Sequence, residues 1–367
     1  MRNVPFFNYP ALFAEREQEF MDVIHGVLQR GSYIMGPELE QFEEELARYL
    51  GVKHAIGLAD GTMALICAVR STGIQPGDEV LVAAHTFVAS SAAIYHAGAT
   101  PILVDIGPDH LMSGEAARAA VTDGTRGIMP VQLNGRTANM DPIMDLVRER
   151  DLILVEDSCQ ALGSSFKGQF AGTFGAAGTL SFYPSKTLGC FGDGGALITD
   201  DDDVAEMTRT LRDHGRTSDG DVKLFGYNAR LDNLHAAVLL HKLRTYDDDI
   251  TKRRSLAAAY HERLESIEAL HLPPGPDADN GHFDVYQNYE IEALNRDALR
   301  EYLASKRVGT ILQWGGKTLQ QFPALEMRGK VPNAEAMTEK FMMLPMNTSL
   351  SLDDVHYICD CIEQFYR

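Results

Sequence analysis

Lys186 stands in the run SFYPSKTLGCFGDGGA (181–196), between an aromatic, strand-like stretch and a glycine-rich turn. Most lysines are exposed and do no chemistry. A lysine enclosed in a pocket loses hydration, which favours its neutral amine, a nucleophile that attacks carbonyls and forms Schiff bases. Its companions decide between the two readings. Asp157 closes LILVED (152–157), Gln160 follows about one turn later, and Ser181 precedes the lysine. Gly61-Thr62 opens a helical run, where backbone amides and a hydroxyl can hold an anion. Phe87 follows a strand-like run at the start of a helix. Each alone has an ordinary reading: Asp157 as a helix cap, Gly-Thr as a helix start, Phe87 as a core residue.

The elements that must position them alternate. EVLVAA (79–84), TPILVDI (100–106), RGIMPVQL (126–133), LILVED (152–157), GTLSFYP (178–184) and GALITD (195–200) read as buried strands, rich in Val, Ile and Leu and bounded by Gly, Pro or Asp. Residues 62–73, 87–97, 111–121, 141–150 and 202–214 read as helices. Asp141-Pro142 supplies a cap followed by proline in the first turn. Such alternation predicts an α/β sheet covered on both faces. In such sheets ligands bind beyond the carboxyl ends of strands, where Asp157, Ser181 and Lys186 fall. Glu156 and Asp157, neighbours on a strand, should point to opposite faces and find different partners. Residues 231–270 read as long amphipathic helical material, followed by the proline-rich break LPPGPDADNG (272–281). FDVYQNYEIEA (283–293) reads as a strand, 296–309 as a helix, and the stretch from about 351 as another. A large domain over 1–245 and a smaller α+β domain over 246–367 are expected.

Composition narrows the function classes. The 367 residues are 45% hydrophobic, enough for a large core. With 33 Lys+Arg against 52 Asp+Glu the net charge is −19, which excludes the basic surface a nucleic-acid binder needs. An anionic ligand then requires a local site of amides and a few cations. No apolar run approaches membrane-spanning length, and the start MRNVPFFNYP lacks the pattern of a signal peptide. The five scattered cysteines predict free thiols in the cytoplasm, and no His or Cys spacing predicts a metal site.

Taken together, the chemical residues fit one cofactor. Pyridoxal phosphate needs a lysine for its aldehyde and an acid to keep its pyridine nitrogen protonated. It also needs a cradle for its phosphate and an apolar ring against its face. The chain resembles the DegT/DnrJ/EryC1/StrS sugar aminotransferases of the fold-type I pyridoxal-phosphate enzymes over nearly its whole length. The resemblance is carried by GSYIMGPELEQFEEELARYLGVKHAIGLADGTMAL (31–65), GDEVLVAAHTFVAS (77–90), GATPILVDI (98–106), VEDSCQALGSSFKG (155–168), SFYPSKTLGCFGDGGALITDD (181–201), GYNARLDNLHAAVLLHKL (226–243) and LPMNTSLS (344–351).

The resemblance implies a three-layer α/β/α large domain with a mostly parallel sheet. It implies that Lys186 is the Schiff-base lysine and proton shuttle, that Asp157 pairs with the pyridinium nitrogen, and that Gln160 bonds the ring hydroxyl. Ser181, Gly61 and Thr62 would hold the phosphate, and Phe87 would stack on the ring. Asn228 would reach the phosphate of a neighbouring subunit in a homodimer with shared sites, and Arg230 would help hold the carboxylate of the amino donor. The implied reaction moves an amino group from an amino acid, L-glutamate by expectation, through pyridoxamine phosphate to a nucleotide-linked keto-hexose. The product would enter a surface polysaccharide or a glycosylated natural product. The run at 229–232 followed by HAAVLLHKL favours amination at C3 over C4.

Two departures from the family pattern stand out. Asp60 precedes Gly-Thr, and a carboxylate beside a phosphate is unfavourable, so it should point away or pair with a cation. In place of a His-Tyr-Pro-like stretch the chain reads TILQWGGKTLQQF (310–322), where Trp314 and Lys317 are candidates for contact with sugar or diphosphate. Three other readings compete. A sugar dehydratase on this fold replaces the lysine with histidine, which Lys186 opposes. A non-catalytic regulatory relative would not need Lys186, Asp157, Gln160 and Ser181 together. A dinucleotide-binding enzyme would need G-x-G-x-x-G opening a helix, whereas GDGG (192–195) precedes a strand.

Overall fold

The computed structural model describes residues 2–279 and 281–367; Asn280, inside the proline-rich break, lies outside them, as does Met1. The described strands, in chain order, are β1 (His54–Leu58), β2 (Glu79–Ala83), β3 (Thr100–Val104), β4 (Thr125–Met129), β5 (Ile153–Asp157), β6 (Ser165–Phe166), β7 (Gln169–Phe170), β8 (Ala177–Ser181), β9 (Gly195–Thr199), β10 (Leu270–His271), β11 (His282–Phe283), β12 (Tyr289–Ala293), β13 (Arg328–Gly329) and β14 (Phe341–Leu344). The main sheet has the order β1-β9-β8-β5-β4-β2-β3-β13. From β13 through β3, β2, β4 and β5 to β8 the neighbours are parallel. β9 runs antiparallel to both β8 and β1. β1 therefore points the same way as β8, and the carboxyl ends of β1, β2, β5 and β8 share one edge.

The alternation of strand residues explains why helices cover both faces. On β2, Val80 and Val82 pack with the helices Gly61–Ser71 and Val88–His96. Leu81 and Ala83 pack on the other side with Gly114–Ala120 and Met140–Arg150. Each such buried aliphatic side chain contributes about 1.5–3 kcal/mol. A second sheet, β10-β12-β14, is antiparallel and has its own apolar cluster. Tyr289, Ile291 and Ala293 of β12 lie in that cluster, which leaves Glu290 and Glu292 on the strand's opposite face.

Four expectations need adjustment. The helical stretch 231–270 is two helices, Asn233–Leu243 and Tyr246–Leu264. The second begins after Thr245 with Asp247, Asp248 and Asp249 in its first turn, where acids complement the helix dipole. The expected division at 245 falls between them. The strand expected over 283–293 is interrupted, because Tyr286 adopts φ +49° and the residues around it turn to meet the loop after β4. There Val285 donates to the Gly135 carbonyl at 2.8 Å. The helix expected from Asp141 is capped instead by Asn139, whose side chain accepts from the Asp141 amide. β1 and β14 are strands the periodicity left unassigned.

Candidate active site

A cavity of about 730 Å³ opens at the shared edge of the strand ends. Its wall includes Gly61, Thr62, Phe87, Asp157, Gln160, Ser181, Lys186 and Trp314, so eight of the eleven residues singled out above meet in one place.

Asp157 ends β5 and is almost fully buried. Its Oδ2 accepts from the Ser90 hydroxyl at 2.6 Å, and its Oδ1 from the Cys159 amide at 3.2 Å. No helix starts directly after it, so the carboxylate is held as an acceptor rather than spent as a cap. Glu156, pointing the other way, takes Gln132 Nε2 at 2.7 Å and the amides of Gly172 and Phe174. Burial raises its pKa, against these donors, and its role is to tie loops together.

Lys186 sits in the turn after β8, its amide bonded to the Tyr183 carbonyl at 2.8 Å. Its side chain lines the cavity and is partly buried. Burial is the largest influence on the amine and lowers its pKa, opposed by Cys159 and Asp157. Burial and Asp157 hold the Cys159 thiol far above its ordinary value. It therefore stays neutral, and Asp157 is the counter-charge that acts.

The helix Gly61–Ser71 aims its first turn at the cavity. Asp60 Oδ1 accepts from the Met63 amide at 2.8 Å, so its carboxylate is committed to the helix, as its awkward place before Gly-Thr required. The first amides of a helix have no acceptor within it and, with the dipole, attract an anion. A β-carbon on Gly61 would lie 2.9 Å from Ser181 Cβ, and one on Gly195 only 2.4 Å from the Asp60 carbonyl. Glycine at both positions lets the helix start approach β8 and β9.

Phe87 caps the helix Val88–His96 and leaves half its surface exposed to the cavity. Trp314 adopts φ +50° in QWGG, and its ring lies 6.4 Å from Phe87 and 5.1 Å from His85. Gln160 Oε1 accepts from the Asn134 amide at 3.0 Å and from Asn288 Nδ2 at 3.2 Å. Because a backbone amide can only donate, the oxygen of Gln160 must face it, and Nε2 is the end left to donate elsewhere.

Asn228, Arg230 and Lys317 do not line the cavity. Asn228 is exposed, with its Oδ1 held by Arg230 Nη2 at 2.7 Å, while Arg230 Nη1 is paired to Asp213 at 2.8 Å. Lys317 is exposed, its amine 5.5 Å from the ring centre of Phe322.

Several residues of the site escaped the sequence reading. Ser90 lies one helical turn from Phe87, a spacing that would have suggested a shared face. Gln287, Asn288 and Gln313 also line the cavity, and carried no motif. A buried cluster beside it was unforeseen as well. Glu290 accepts from His85 Nε2 at 3.1 Å and from His110 Nδ1 at 2.8 Å, and His110 Nε2 bonds Glu292 at 2.9 Å. These three elements meet only in the fold. Burial lowers the His110 pKa, but the two carboxylates outweigh it and push it up to about 10. Burial likewise works against ionised Glu290, but the imidazoles hold it well below the usual carboxylate range.

The residues present fit pyridoxal phosphate: a partly buried lysine, a fixed carboxylate, a helix start with close-packed glycine, and an exposed ring face share one cavity. Comparison with known proteins agrees. The sequence pattern of the DegT/DnrJ/EryC1/StrS aminotransferase family matches residues 14–363. The chain is 36% identical to a dTDP-3-amino-3,4,6-trideoxy-alpha-D-glucose transaminase of Streptomyces venezuelae, over 99% of this chain and 96% of the relative. It is 35% identical to a "pleiotropic regulatory protein" of Geobacillus stearothermophilus, over 100% and 99%. It superposes with a TM-score of 0.95 on S. venezuelae DesV, solved in complex with a ketimine intermediate, at 34% identity, covering 100% of this chain and 99% of that one.

Proposed function

This chain belongs to the DegT/DnrJ/EryC1/StrS aminotransferase family, and from that premise we infer that its cavity transfers an amino group from an amino acid to C3 of a nucleotide-linked keto-hexose. The chain is a pyridoxal-phosphate-dependent nucleotide-sugar aminotransferase of amino-sugar biosynthesis. When bound, pyridoxal phosphate supplies a carbonyl that takes up the amino group, becoming pyridoxamine phosphate, and a protonated ring that draws in electrons.

The protein's own groups do the rest. Lys186, whose amine is pushed toward its neutral form by burial, would hold the cofactor through its carbonyl and move protons at the reacting carbons of both substrates. Asp157, fixed by Ser90 and the Cys159 amide, holds the proton on the ring nitrogen. Gln160 donates its Nε2 to the ring hydroxyl. The Gly61 and Thr62 amides, with the Thr62 and Ser181 hydroxyls, hold the phosphate, and Phe87 covers the ring face. Trp314 meets the sugar, and Lys317, close by on the surface, reaches the diphosphate. L-glutamate is the donor; Arg230, outside this cavity and bonded to Asp213 and Asn228, would help hold its carboxylate only from across a dimer interface, beside Asn228.

Asn228 is exposed and does not line the cavity of its own chain, and Phe225 nearby is 97% exposed. Both facts suit a homodimer in which Asn228 completes the phosphate site of the partner. The domain division near residue 245 lets the C-terminal part close over the sugar. No helix among the described residues is long and apolar enough to cross a membrane. Five free cysteines suit a cytoplasmic enzyme.

The observation that carries this reading is the convergence of Lys186, Asp157 and the Gly61 helix start on one cavity. It also disfavours a purely regulatory role, despite the name of one relative, and Lys186 disfavours a dehydratase. A panel of nucleotide-linked 3-keto and 4-keto sugars with L-glutamate, read by mass spectrometry and NMR, tests it. Amination of a 3-keto member is expected; reaction with 4-keto members alone would overturn the C3 assignment.

A further inference from the structure

The segment 287–290 reaches from the small sheet into the cofactor site at three points. Gln287 brackets the lysine: its Oε1 accepts from the Thr187 amide and its Nε2 donates to the Ser185 carbonyl, both at 2.7 Å. Asn288 Nδ2 donates to Gln160 Oε1 at 3.2 Å and to Asn134 Oδ1 at 2.8 Å. Glu290 takes the imidazole of His85, two residues before Phe87. Resting on the function proposed above, we propose that Asn288 and Gln287 are positioning residues, through which the small sheet sets the donor end of Gln160 toward the cofactor and the reach of Lys186.

The segment is itself tightly held. Arg253, buried in the helix Tyr246–Leu264, donates to the carbonyls of Tyr286 and Gln287 at 3.0 and 3.2 Å. The loop after β4 approaches so closely that a β-carbon on Gly135 would lie 2.4 Å from the Gln287 nitrogen. Gln287 and Asn288 are thus fixed with respect to the small sheet and bonded to the large one. A shift of the small sheet on substrate binding would move both contacts together.

The chemical consequence follows from Gln160. With its oxygen occupied by Asn134 and Asn288, its Nε2 is the end free to donate. A donor on the ring oxygen draws off electron density, and that oxygen then holds a neighbouring proton less tightly. Loss of Asn288 leaves that oxygen on the Asn134 amide but removes a second donor that fixes the side chain's position, so Gln160 Nε2 meets the ring oxygen for less of the time.

The test is a pH titration of the visible absorption of the bound cofactor in intact holoenzyme. Asn288→Ala is expected to raise the midpoint by about one pH unit, the scale of a single hydrogen bond. Gln160→Ala is expected to raise it similarly, and adding Asn288→Ala to that background should give no further shift. Asn288→Asp keeps the size and serves if the alanine variant does not fold. Its carboxylate would face the Gln160 and Asn134 side-chain oxygens and repel them, which displaces Gln160 from the ring oxygen, and the midpoint again rises. Gln287→Met keeps bulk and removes both bonds to the lysine turn; it should lower kcat about tenfold or more with KM for the sugar unchanged. An unmoved midpoint in Asn288→Ala or Asn288→Asp, or an equal shift with and without Gln160, overturns the proposal. Holoenzyme lacking a visible band would instead overturn the function on which it rests.

Discussion

Ser90 Oγ lies 2.6 Å from Asp157 Oδ2, at the junction of a helix start and a strand end. The bond fixes the direction of a carboxylate that is 5% exposed, with the Cys159 amide as its other partner. A hydrogen bond to a charged acceptor contributes about 1.5–3 kcal/mol. Ser90→Ala should therefore weaken pyridoxal phosphate binding by roughly tenfold to a hundredfold, measured by equilibrium titration of the apoprotein. Unchanged affinity would mean that Asp157 is oriented without it.

Trp314 should act on the sugar and not on the amino donor. It lines the cavity between His85 and Phe87 on a strained turn, φ +50°. Trp314→Ala removes that stacking surface. KM for the nucleotide sugar should rise about tenfold, the scale of about 1.4 kcal/mol of aromatic contact. Single-turnover reaction with L-glutamate alone should keep its rate. Equal loss in both halves would assign Trp314 to the cofactor instead.

His110 gives the chain an alkaline weakness. Its folded pKa of about 10 lies above the ordinary 6.5, held there by Glu290 and Glu292 with His85 and His271 nearby. Its contribution to stability is complete below about pH 6.5, declines above that, and is gone once the pH passes about 10. The melting temperature should fall between pH 7 and 10 more steeply in the native protein than in His110→Gln, followed by calorimetry. Parallel curves would show that the ring does not titrate in this range.

The site was legible where one short run carried both the residue and its setting. Lys186, Asp157, Gln160 and Gly61-Thr62 sit at strand ends and helix starts, whose polar residues stand out against the apolar periodicity. Glu156 and Asp157 part to opposite faces, as strand geometry requires. What stayed hidden was long-range. Asn288 and Gln160 are bonded across 128 positions, and His110 and Glu290 across 180. The break in the 283–293 strand depends on Tyr286 turning to meet Gly135, which no local pattern contains. Arg230 read as an available cation, yet the fold pairs it with Asp213, a neighbour supplied by a turn rather than by spacing.

The most direct test is borohydride reduction of the yellow holoenzyme, followed by peptide mapping by mass spectrometry. The account predicts the reduced cofactor on the peptide containing Lys186, with Lys186→Ala binding added cofactor but carrying no label. Label on another lysine, or native protein that binds no pyridoxal phosphate, would contradict it.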